Sequence, residues 1–156
     1  MVKTNPYKNK IFIEKELYLN FIWPDNSKLI LENALNNNSI VCKLNYNNFS
    51  CIFTGDIEEI AEKQILKECK NNLNATILKV AHHGSKTSST QEFIERVNPR
   101  IALIGVSKDN KFGHPNEEVV ERLKSHGIKI YRTDQMGEIT IIVNKKMKTI
   151  IRKKIN

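Results

Sequence analysis

The sequence predicts an α/β fold, and three observations lead there. Short β-branched segments alternate with amphipathic helical patterns from residue 39 onward. The chain's 156 residues suffice for one domain with its own core, and no repeat, linker or low-complexity tract divides them. The polar motifs Thr54-Gly55-Asp56, His82-His83-Gly84-Ser85 and Gly113-His114-Pro115 each follow an apolar strand, where α/β folds gather ligand-binding groups.

Residues 1–16 are polar, but 11–23 alternate enough for one or two strands. Residues 23–39 read as a loop, punctuated by Pro24 and the Asn36–Asn38 run. Segments 39–46 and 49–54 form a hairpin across Asn47-Asn48, a pair that tolerates positive φ. Asp56 with Glu59 makes a capping arrangement for a helix whose inner face carries Ile57, Ile60, Ala61, Ile65 and Cys69. A strand over 76–81 runs into the His82-His83 motif. Ser89 with Glu92 caps a short helix bearing Phe93 and Val97, stopped by Pro99.

Residues 100–106 read as a buried strand, followed by the loop 107–115. Pro115 suits the first turn of a helix reaching His126, with Val119, Val120 and Leu123 inward and Gly127 as its stop. Strands over 128–131, 138–143 and 148–152 complete the chain.

Composition narrows the function. No apolar run approaches the roughly 18–20 residues that span a bilayer, and the N-terminus lacks a signal peptide's apolar core. A complete product of this sequence is expected in the cytoplasm; a fragment carries no address. Cys42, Cys51 and Cys69 lack metal-type spacing and read as buried thiols. The net charge of +8 favours polyanions such as nucleic acid.

An aspartate and two or three imidazoles on neighbouring loops suit zinc or manganese, which would lower the pKa of bound water toward about 7. Each residue also has a plain reading. Asp56 alone suits a helix N-cap, His114 a helix entry, and His126 the cation-favouring end of a helix.

In order, TGD, then LKVAHHGSKTSS, then GHP and the closing RTD-x-x-G-E-I resemble the extracytoplasmic metallo-β-lactamase-like domain of ComEC-type competence proteins and its free-standing hydrolase relatives. The resemblance covers about residues 17–142 and implies an αβ/βα sandwich with a metal site along one edge. It implies that Asp56 bridges two metals and that one of His82 and His83, by preference His82, is a ligand. It further implies that Ser85, Lys86 and Ser88 face the cleft and contact a phosphodiester. His114 would touch substrate or transfer a proton.

The chain departs from that family's pattern in one respect. The His-x-His/Asp-x-Asp-His loop that supplies most ligands is absent, since the first histidine is His82. The expectation is a single partial domain over 1–156, the C-terminal half of the fold. An orphan half exposes an apolar sheet face, so it is expected to pair with the N-terminal half on another chain or with itself. Two functions follow: part of a metal-dependent phosphodiesterase acting on DNA, or a non-catalytic DNA-binding or assembly module. Hydrolysis of a small ester or lactone is a third.

Overall fold

The computed structural model describes residues 10–24, 29–69, 73–144 and 149–154. Alternating apolar residues form β1 (Lys10–Glu14) and β2 (Leu17–Trp23), followed by a short helix α1 (Ala34–Asn37) inside the segment expected to be loop. The expected hairpin is β3 (Val41–Tyr46) and β4 (Phe49–Phe53), with Asn47 at φ 49° in its turn. Then come α2 (Glu59–Glu68), β5 (Ile77–Lys79), α3 (Gln91–Val97), β6 (Ile101–Ile104), α4 (Glu117–Ser125) and β7 (Lys129–Arg132). A short helix α5 (Thr133–Met136) leads into the hairpin β8 (Glu138–Val143) and β9 (Thr149–Lys154). Residue 148, the expected start of the last strand, and most of the polar N-terminal segment lie outside the described residues.

Strands β1 to β7 make one seven-stranded sheet in sequence order. Pairing is antiparallel from β1 to β4 and parallel from β4 to β7. Parallel neighbours need crossover connections, and α2, α3 and α4 supply them. Adding strands in a single direction with crossovers of one hand puts every crossover helix on the same face. The core agrees. Ile52, Leu78, Val80, Ala102 and Ile104 of the sheet pack with Ile57, Ala61, Ile65, Phe93, Val97, Val119 and Leu123 of the helical layer.

The second face carries Phe49, Cys51 and Ile77, flanked by Leu44, Ile101 and Leu103. Only the β8–β9 hairpin approaches it among the described elements, through Ile141 and Val143. A groove of about 570 Å³ opens there, walled by Leu17, Leu44, Phe53, Leu103, Ile139 and Ile141. On the edge strand β1, Ile11, Phe12 and Ile13 are all exposed. The α/β class is therefore observed; on the second face Phe49, Cys51 and Ile77 are buried beneath the hairpin, and the groove beside them is where that face opens.

Several local expectations change. Helix α2 begins at Glu59 rather than at Asp56, and Ile60 is exposed while Glu62 and Leu66 are buried. Thr90, not Ser89, caps α3 by accepting from Phe93 N. Asn116 caps α4, so Pro115 precedes that helix instead of lying in its first turn. The three cysteines are free thiols, as expected; Cys42 and Cys69 are half-buried and Cys51 is buried. Burial, and then the neighbouring Cys42, pushes the Cys51 thiol up to about 12. No helix of the described residues is long and apolar enough to cross a membrane.

Leu78 lies fully buried in a strand flanked on both sides, beneath the helical layer. Leu78→Ala is expected to cost about 2–5 kcal/mol, read from the urea midpoint. An unchanged midpoint would mean that this layer is not the stabilising core.

Candidate functional site

Because β4, β5 and β6 are parallel, the segments that follow them emerge along the same edge of the sheet. Thr54-Gly55-Asp56 follows β4, His82-His83 follows β5, and Gly105-Val106 follows β6. Each is pinned to its neighbours. Thr54 is fully buried and donates through Oγ1 to Lys79 O at 2.6 Å. Gly55, at φ 55°, lies where an added Cβ would come within 2.6 Å of Ser39 Cβ, and Asp56 N donates to Ser39 Oγ at 3.2 Å. His82 N donates to Gly55 O at 3.1 Å.

His82 and His83 both adopt left-handed backbone, at φ 47° and 53°. That conformation is unfavourable for non-glycine residues. Gly84, at φ 83°, completes the turn, and a Cβ there would meet Pro115 Cβ at 2.6 Å. Asn116 N donates to Gly84 O at 2.8 Å, so the HHG and GHP loops interlock.

The turn sends the two imidazoles to different partners. His83 pairs Nδ1 with Gly105 O at 2.5 Å, and its Nε2 lies 3.8 Å from Asp56 Oδ1. His82 Nδ1 is buried and lies 3.6 Å from Glu58 Oε1. The geometry thus sets His83, not the preferred His82, beside Asp56. The closing RTD motif has a structural part in this. Thr133 Oγ1 accepts from Val106 N at 2.7 Å and donates to Val106 O at 2.8 Å, fixing the segment that offers Gly105 O. Arg132 and Asp134 pair in a two-bond bridge beside it.

His114 lies edge-on to His82, with ring centroids 5.7 Å apart, and Phe112 stacks on it at 5.9 Å. Burial, then the charges of His82 and His83, holds its imidazole below the usual histidine range. A pocket of about 350 Å³ opens between His83, Gly105, Val106, Phe112 and His114.

The Ser/Thr-rich loop behaves differently from expectation. Ser88 is buried and donates Oγ to Ile57 O at 2.8 Å, so its hydroxyl serves the loop's own fold. Ser85 is also buried, with its hydroxyl 3.1 Å from Thr87 Oγ1. Lys86 is exposed but lines a separate groove with Asn33, Glu58 and Glu59. His126 binds Arg122 O and faces Glu95, away from the other imidazoles.

Three residues were missed from the sequence. Glu58 accepts from Thr87 Oγ1 at 3.0 Å and from Asn33 Nδ2 at 2.8 Å. Lys79 reaches Gly55 O at 3.4 Å with its charge near Asp56, while burial lowers its ammonium pKa. Buried Glu62 accepts from Ser89 N at 2.6 Å and Thr90 N at 2.8 Å, and Arg122 binds Ser89 O. Burial pushes the Glu62 carboxyl up, opposed by the Thr90 and Ser89 bonds and by the Arg122 charge. A buried polar residue on an otherwise apolar helical stripe was the available signal.

Chemically, Asp56 Oδ1 and His83 Nε2 offer one oxygen and one nitrogen donor to a divalent metal. A hydrogen bond from Nδ1 to Gly105 O would leave Nε2 with its lone pair free, the usual arrangement of a ligating histidine. Among the described residues no group of three His, Cys, Asp or Glu side chains is assembled to hold a metal. The set fits part of a metal centre and falls short of the three protein ligands a catalytic zinc needs.

Glu62→Ala leaves one buried and one half-buried N–H donor without acceptors and is expected to cost about 2–4 kcal/mol in urea unfolding. Glu62→Gln keeps one acceptor and should lose less. Equal stability of both variants and the parent would show that the carboxylate does not hold the loop.

No family model matches the chain. The chain is similar to ComE operon protein 3 of Bacillus subtilis, 40% identical over 104 residues, covering 67% of this chain and 13% of that protein. Competence protein ComA of Neisseria gonorrhoeae is 33% identical over 119 residues, 76% of this chain and 17% of the relative. Recombination protein 2 of Haemophilus influenzae is 29% identical over 125 residues, 80% and 15% respectively. The matched part is thus less than a fifth of each relative's length. The similarity supports a competence-related family for this chain, which matches one segment of its relatives rather than their full length.

Proposed function

We propose that this chain is the C-terminal half of a metallo-β-lactamase-fold, metal-dependent phosphodiesterase linked to DNA uptake, completed by a second half carrying the remaining ligands. The observation that carries the reading is the pairing of Asp56 with His83 on one sheet edge, the imidazole being held through its far nitrogen by Gly105 O. The names of the relatives favour competence as the setting. One helical layer on one sheet is also what half of an αβ/βα sandwich supplies, and the apolar groove on the opposite face is where the other half would pack. The partner is the N-terminal half, or a second copy related by a twofold axis.

A bound zinc or manganese would supply an activated water. This chain's own residues would do the rest. Asp56 and His83 would furnish two donors from the same edge, as half of a centre whose other donors come from the partner. His114, its imidazole pKa lowered by burial and by the neighbouring histidines, lies at the pocket mouth where it could accept or return a proton. Lys86 is exposed but lines the neighbouring groove with Glu58 and Glu59, so the reading gives it no direct role at the metal edge.

Mixing the chain with a polypeptide bearing the His-rich loop is expected to yield stoichiometric divalent metal and cleavage of a phosphodiester, both abolished by chelation. His83→Ala and Asp56→Asn should each lower that cleavage by about 100-fold or more, since each removes a metal donor. A reconstituted pair that binds metal and cleaves no diester overturns the reading.

The two-donor count favours a second reading, a non-catalytic module that binds DNA through charge. That module would bind DNA without metal, with affinity falling steeply as salt rises. Salt-insensitive binding would rule it out.

A further inference from the structure

We propose that Glu58 is the positioning carboxylate of the site, fixing the His82 imidazole through Nδ1 so that Nε2 is the atom offered to the cleft. The inference rests on the reading of the His82-His83 turn as the working edge of the chain, and it adds a residue to which that reading gives no role.

Four observations carry it. His82 Nδ1 is buried and makes no hydrogen bond in its present geometry, and Glu58 Oε1 lies 3.6 Å away. A buried ring nitrogen without a partner is unfavourable, and a small rotation of the ring would bring it within bonding range of the carboxylate. Glu58 is itself held still. Its side chain is 13% exposed, with Oε1 on Thr87 Oγ1 and Oε2 on Asn33 Nδ2. Its backbone N–H is taken by Asn37 Oδ1 at 3.0 Å, so the residue is braced from the α1 side as well.

The His82 side chain retains 24% exposure although its Nδ1 has essentially none, so the exposed part lies elsewhere on the side chain. Its ring lies edge-on to His114. An ionised carboxylate only accepts, so pairing with Glu58 requires the proton on Nδ1 and leaves Nε2 with its lone pair free. His82 would then present an acceptor to whatever enters beside His114. His83 has its own holder in Gly105 O, so adjacent imidazoles are oriented by two different groups.

The tautomer of His82 tests this directly, by long-range ¹⁵N–¹H NMR of the full chain at about pH 8.5, where histidine is neutral. The parent is expected to show the Nδ1–H form in about tenfold excess, as a charge-assisted hydrogen bond would impose. Glu58→Ala should move His82 toward the Nε2–H form, with the amide spectrum of the core unchanged. Should that variant fail to fold, Glu58→Gln keeps the shape and should reduce the excess. Thr87→Val removes one of the side-chain braces of Glu58 but keeps the carboxylate, and should lower the excess by less than Glu58→Ala does. A parent His82 in the Nε2–H form, or a ratio indifferent to Glu58, overturns the proposal.

These outcomes are separate from the hydrolysis test. Cleavage with an indifferent tautomer sinks this inference alone. A responsive tautomer without cleavage by the reconstituted pair sinks only the functional reading.

Discussion

The left-handed pair at His82-His83 is the constraint on which the site depends. Two consecutive non-glycine residues at positive φ cost about 1–2 kcal/mol each against ordinary backbone. The loop after them is held by the start of α2. Glu59 N binds Thr87 O, Glu58 takes Thr87 Oγ1, Ile57 O takes Ser88 Oγ, and Glu62 takes Ser89 N and Thr90 N. At about 0.5–1.5 kcal/mol per bond, those five contacts can offset the strain. The turn in turn sends the two imidazoles apart, His83 to Asp56 and His82 to Glu58.

The sheet topology sets where a partner would complete the site. Parallel strands added in one direction force the crossover helices onto one face, leaving the opposite face to the β8–β9 hairpin. A partner sheet laid against the groove there would cover it, which ties the proposed completion of the metal centre to the burial of Leu44, Leu103 and Ile141.

Much of this was legible because it is local. Alternation located the strands of the sheet, and Asn47-Asn48 marked the hairpin turn. Thr54-Gly55-Asp56 and His82-His83 do follow strands closely, as expected, whereas Gly113-His114-Pro115 lies well past β6, near the start of α4. What failed was set by contacts distant in sequence. Asp56 has the composition of a helix cap, but Ser39 captures its backbone N–H and α2 begins later. Ser89 looked like a cap because nothing nearby shows that Glu62, 27 residues earlier, takes its N–H. Ser88 looked like a substrate contact because a Ser/Thr-rich loop gives no sign of which hydroxyls turn inward toward Ile57. Which of the two imidazoles lies beside Asp56 and which beside Glu58 could not be read from two adjacent histidines, because the left-handed backbone sets their directions.

The strain itself bears on whether the chain is a working half or an inert remnant. Glycine or asparagine at 82 or 83 would occupy the same backbone more easily, so two imidazoles there lower the stability the turn could have. Burying Glu62 adds to that cost, since desolvation disfavours its charge even with two N–H donors and Arg122 beside it. A module that bound DNA by surface charge alone would need neither feature, because lysines on any exposed face serve that purpose. Strain concentrated at a polar edge, held by buried hydrogen bonds from a neighbouring helix, is what a site requiring fixed imidazole directions demands. That argument favours the working half, and it holds for Glu58 and His82 as well as for Asp56 and His83.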